Sequence, residues 1–86
     1  MVSSINWDET IKKEARGIND ANFGEVQNVS NGNVIVERGI IEKEKFIIPQ
    51  DKVESYDGEV VRFSVSEQEA QNKFYNDPST SVDDIV

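Results

Sequence analysis

The side chains able to do chemistry in this 86-residue chain are carboxylates, amides and hydroxyls, since it contains no histidine and no cysteine. Paired acids occur at Asp83-Asp84 and at Glu42 with Glu44. General acid-base work needs two carboxyls held in unlike environments, and these pairs fall in a polar tail and an exposed charged run, where water keeps both ordinary. Serine and threonine are plentiful, but without histidine the usual base that activates a hydroxyl nucleophile is missing. Asn19, Asp20 and Asn22 offer hard oxygen ligands of the kind calcium takes, yet Glu25 stands too near to close the loop as a bidentate ligand. The expectation is a protein that binds rather than catalyses, with no cofactor and no metal.

The charge balance sets what it binds. Seventeen acidic against nine basic residues leave a net charge of -8. Direct nucleic-acid contact depends on clustered lysine and arginine, so this balance favours a basic protein surface over a phosphate backbone. No apolar run approaches the roughly 18 residues of a membrane span, and Met1-Val2-Ser3-Ser4 has neither the basic nor the apolar region of a signal peptide. A cytoplasmic chain without membrane insertion is expected. A single domain of this size buries a modest core, which makes a second copy covering its apolar strand edges, a homodimer, a further expectation.

Most of the chain consists of short alternating runs separated by turn residues. Glu14 to Arg16 reads as a first strand, and Gly17-Ile18-Asn19-Asp20-Ala21-Asn22 as a turn whose Gly, Asn and Asp tolerate positive φ. Phe23 to Val29 reads as a strand with Phe23, Val26 and Val29 in the core, which strict alternation allows only with a bulge. Asn31-Gly32 is a two-residue hairpin turn, and Val34 to Arg38 the β-branched returning strand. Gly39 lets the chain bend, and Glu42-Lys43-Glu44-Lys45 reads as a solvated hairpin tip leading into Phe46-Ile47-Ile48. Pro49 ends that strand. Lys52 to Tyr56 is a short extended segment, Asp57-Gly58 a second turn, and Val60 to Val65 the last strand, with Val61, Phe63 and Val65 on one face.

Helical signals flank these strands. Asn6 caps a short turn in which Trp7 and Ile11 share a face and cover one end of the core, with Trp7 also suited to anchoring a partner. Ser66-Glu67-Gln68-Glu69 is a capping box opening a helix that runs to about Phe74 or Tyr75. The expected organisation is a helical segment over 1–13, strands over 14–65, a helix over 66–76 and an acidic tail over 77–86. The tail's polar, breaker-rich composition predicts flexibility, with Val82, Ile85 and Val86 as a docking motif.

Gly24 and Val26 after a polar turn, then Ile48, Pro49 and Val53, resemble the pattern of the PRC-barrel family across roughly residues 14–65. The resemblance implies a small mainly β barrel of about six short strands. It also implies non-catalytic roles: stand-alone archaeal relatives look like cell-division adaptors, often dimeric, and other relatives contribute to ribosome maturation. A protein-protein adaptor is the first expectation, and an accessory factor of ribosome or RNA processing, acting through a basic protein, is the alternative. Partner contacts are expected at Trp7, Ile40, Ile41, Phe74, Tyr75, Val82, Ile85 and Val86.

Overall fold

The computed structural model describes residues 5–76. A short helix α1 (Trp7–Thr10) precedes strands β1 (Glu14–Arg16), β2 (Asn22–Ser30), β3 (Asn33–Arg38), β4 (Glu44–Pro49), β5 (Val53–Tyr56) and β6 (Val60–Phe63). Helix α2 (Glu67–Glu69) then runs through a π-helical turn, Ala70–Phe74, into a two-residue strand β7 (Tyr75–Asn76). The tail expected to carry Val82, Ile85 and Val86 lies outside the described residues.

All seven strands form one sheet in the order β5-β6-β1-β2-β3-β4-β7. Every pairing is antiparallel except β1 with β6. The mainly β expectation is met. The ladder does not close into a barrel: β5 and β7 end the order. The chain crosses between the edges through the 3-10 turn Gln50–Lys52, tied to other turns by Gln50 N–H donating to Gly32 O and Ser64 N–H to Lys52 O, both at 2.8 Å. Backbone groups that a closed barrel would pair strand to strand are thus satisfied at turns.

Curvature comes from irregular register in β2. Against β1, Ala15 faces Gly24 and Arg16 faces Asn22, so Phe23 is the extra residue. Against β3, Val26 faces Val36 and Asn28 faces Ile35, so Gln27 is the extra one. Two bulges explain how Phe23 and Val26, three apart, both point inward and lie fully buried, with Val29 packed partly against them. Each bulge also bends the strand around its contents. Phe23 sits at the centre, with ring centroids 5.6 Å from Phe46 on β4 and 6.3 Å from Phe63 on β6. Val61, Phe63 and Val65 are buried together as their alternation predicts.

The turns follow their residue types. Asn31 and Gly32 have φ of 54° and 79°, the left-handed pair that matches hairpin twist. Asp57 Oδ1 accepts from both Glu59 N–H and Val60 N–H at 2.9 Å, and these bonds hold its carboxyl below the usual range. Ser66 accepts from Glu69 N–H at 3.0 Å, forming half of the expected capping box, while the Glu69 carboxylate reaches Lys73 at 3.8 Å. The helical stretch ends at Phe74, the nearer of the two expected ends, with its second half a π-helical turn. Tyr75 leaves it to pair with Phe46 as a strand residue, its ring 5.5 Å from the Phe46 ring. That aromatic contact outweighs another helical residue.

At Gly24 the backbone of β2 lies directly against that of β3. With φ of +85°, a Cβ there would stand 2.0 Å from the Glu37 carbonyl oxygen, whereas at Gly32 it would meet open space. Gly32→Ala should cost about 1–2 kcal/mol, the left-handed penalty alone. Gly24→Ala should cost on the order of 3 kcal/mol or more, because backbone must also move. Urea unfolding followed through the lone tryptophan, Trp7, checks this, and equal losses would contradict it.

Candidate functional site

Strands β3 and β4 are joined by the turn 39–43, and its physical character differs from the rest of the surface. Gly39 has φ of +98°, and a Cβ on it would lie 2.5 Å from the Glu42 carbonyl oxygen, so glycine is needed to close the turn. Beyond it Ile40 and Ile41 are 90% and 92% exposed, twice the 46% of Ile18, the next exposed large apolar side chain among the described residues. Adjacent isoleucines held almost wholly in water are unlike the single scattered apolar residues of ordinary surfaces. Gly39 and Lys43, which bracket them, also line an open polar groove of about 400 Å³ with Asn22, Gly24, Gln27 and Arg38. The acids of that groove, Glu25 and Glu37, stand opposite each other across β2 and β3.

The base of this turn is fixed by one side chain. Arg38, the last residue of β3, donates through Nε to Glu44 Oε1 at 2.6 Å. Its terminal nitrogens donate to both carboxylate oxygens of Glu67 at 2.8 and 2.7 Å, and Nη1 also donates to the Asn22 carbonyl at 2.7 Å. The guanidinium lies 5.1 Å from the centre of the Phe46 ring, within cation-π range. Gln71 donates to Glu67 at 3.0 Å, completing the cluster. Arg38 therefore ties β2, β4 and α2 to the end of β3. Bidentate, charge-assisted bonds of this kind fix orientation as well as supplying energy. Hydrogen bonds from Arg38, then Gln71, pull the Glu67 carboxyl down to about 2, and Glu67 first, with Glu44, raises the Arg38 value. Glu44, expected in a solvated tip, belongs to this network.

The structure distributes the expected contact residues unevenly. Ile40 and Ile41 are presented to solvent. Phe74 and Tyr75 pack partly against the core beside β4, and Trp7 does so from α1. Thr10, buried in the same helix, donates to Trp7 O at 2.6 Å. The π-helical turn and the β4–β7 pairing bring Phe74 and Tyr75 to the same end of β4 as the turn.

The oxygen-rich loop has other duties. Asp20 Oδ1 accepts from Arg62 at 2.9 Å, an interaction that holds its carboxyl below the usual range. Asn22 Oδ1 accepts from Gly24 N–H at 2.9 Å. Asn19 and Asp20 adopt φ near +60°, as their types permit. Among the described residues no group of three acidic side chains is placed to hold a metal, and no helix is long and apolar enough to cross a membrane. No protein-family model, curated protein or solved structure matches the chain.

The Arg38 network carries a pH signature. A carboxyl depressed in the folded state contributes stability above its unfolded value, near 4.5, which is lost as pH falls towards about 2. Glu67→Gln should lower stability near neutral pH, and the gap to the parent chain should close as pH drops through that window. Because the Glu67 side chain is 46% exposed, screening limits the gap to about 1 kcal/mol. Urea unfolding at pH 7, 4 and 2.5 measures it, and a gap that widens on acidification would contradict the pairing.

Proposed function

We propose that this chain is a non-catalytic protein-protein interaction module whose contact surface is the β3–β4 turn. The observation that carries the reading is the exposure of Ile40 and Ile41, 90% and 92%, on a turn whose base Arg38 fixes from three directions. Burying both side chains against a partner would recover about 1.5–3 kcal/mol each, and a fixed turn loses little entropy on docking. The net charge of -8 favours a partner with a basic rim around its apolar pocket. The resemblance of Gly24, Val26, Ile48, Pro49 and Val53 to the PRC-barrel pattern supports an adaptor role in the cytoplasm, with cell division as the process it suggests. A second copy of the chain is a partner this surface also accepts.

A photo-crosslinking residue at position 41 tests the reading in cells producing the protein, with the same residue at Asn31, on the other hairpin turn, as control. The expected result is a discrete crosslinked species from position 41 that Ile40→Asp reduces at least tenfold while leaving the melting temperature within about 2 °C. Equal patterns from positions 41 and 31 would overturn the proposal. A product of twice the chain mass identifies self-association.

A further inference from the structure

Two tight turns place a side-chain carbonyl immediately before glycine, at Asn31-Gly32 and Asp57-Gly58. That order sets the glycine nitrogen within a five-membered ring of the side-chain carbon, and glycine has no Cβ to crowd the approach. The two turns differ in what holds the side chain. Asp57 Oδ1 accepts from Glu59 N–H and Val60 N–H at 2.9 Å, and these bonds keep its carboxyl ionised to lower pH than usual. A restrained carboxylate is a poor electrophile and carries no group that leaves. Asn31 and Gly32 are exposed instead. The Asn31 side-chain amide makes no hydrogen bond among the described residues, and Gly32 N–H donates to none of them. A Cβ on Gly32 would meet open space.

We infer that Asn31 is a site of spontaneous modification, at which the Gly32 nitrogen closes on the Asn31 side chain and water then yields aspartate and isoaspartate. In the first step a bond forms between Gly32 N and Asn31 Cγ, the Cγ–Nδ2 bond breaks, and the amide proton of Gly32 leaves with the side-chain nitrogen as ammonia. In the second, water adds to the cyclic imide: cleavage of the new N–Cγ bond gives aspartate, and cleavage of the original peptide bond gives isoaspartate. Ring closure rotates the Asn31–Gly32 peptide out of its left-handed turn, a local opening that an exposed hairpin tip permits at low cost. The seven other asparagines precede residues with side chains, and two of them, Asn22 and Asn28, have Oδ1 held by the N–H groups of Gly24 and Val29.

The two products act differently on the fold. Aspartate leaves an Asp-Gly pair, which suits the same turn, and adds one negative charge. Isoaspartate runs the main chain through Cγ and lengthens a two-residue loop by one atom, so Ser30 and Asn33 lose their register. It also displaces Gly32 O, which accepts from Gln50 N–H at 2.8 Å and ties the hairpin to the turn between β4 and β5.

The test incubates the full chain at pH 8.5 and 37 °C in heavy-oxygen water and maps its peptides by mass. One heavy oxygen should enter at Asn31 at least tenfold faster than at any other asparagine, as both products, told apart by a protease that cuts before aspartate but not before isoaspartate. Gly32→Ala should slow the reaction at least tenfold. An equal rate at another asparagine, an unchanged rate in Gly32→Ala, or aspartate without isoaspartate would overturn the inference, since direct hydrolysis of the amide forms no ring. Isoaspartate appearing as fast at Asp57 would overturn the protection assigned to that carboxyl. Asn31→Asp should melt within about 2 °C of the parent chain and the purified isoaspartyl form roughly 5 °C or more below it. An isoaspartyl form that melts with the parent would overturn the loss of register.

Discussion

The guanidinium of Arg38 is the interaction on which the geometry of this end of the molecule depends. It sits at the last residue of β3 and binds three elements at once, through the Asn22 carbonyl, Glu44 and Glu67, while lying against the Phe46 ring. Without it, like charges at Glu44 and Glu67 would face one another with only the Gln71 amide between them, and α2 would lose its ion pair to the end of β3. The helix in turn delivers the chain to β7, whose Tyr75 packs against the same Phe46 ring. The turn that carries the two exposed isoleucines thus springs from a base tied to β2, β4 and α2.

The core imposes a complementary constraint. Phe23 occupies the centre of the curved sheet only because β2 carries an extra residue at that point, and Gly24 beside it lets β2 approach the Glu37 carbonyl. Glu37 precedes Arg38 on β3, so the close approach at Gly24 sets the position from which the guanidinium reaches out. Packing and site are consecutive residues of one strand. In the open sheet, turn backbone bonds at Gln50 and Ser64 join its hairpins, and Ala70 of the helical stretch is buried in the core.

Features governed by neighbours in sequence were legible. Asn31-Gly32 and Asp57-Gly58 form the turns their residue types predict, Pro49 ends β4, and the spacing of Phe23, Val26 and Val29 announced a bulge. The alternation at Val61, Phe63 and Val65 named three core residues. What escaped was set by distant partners. The bonds of Arg38 span 6, 16 and 29 residues, and a charged residue at a strand end carries no local sign of them. Tyr75 continued an amphipathic helix in sequence, and only the Phe46 ring beside it made a strand the better use. Barrel closure depends on the lengths of edge strands, and a two-residue β7 has no signature of its own. The exposed isoleucine pair was readable as apolar sequence, but its place on an anchored turn was not.

Amide hydrogen exchange of Arg38→Met against the parent chain tests the central claim most directly. If Arg38 is the tie that holds the β3–β4 turn, α2 and β7 together, protection falls by at least tenfold in Phe46, Ala70 and Tyr75, while Ala15 on β1 and Val61 on β6, strands that do not border β3, keep theirs. Uniform loss across the sheet, or unchanged protection at Phe46, Ala70 and Tyr75, would contradict it.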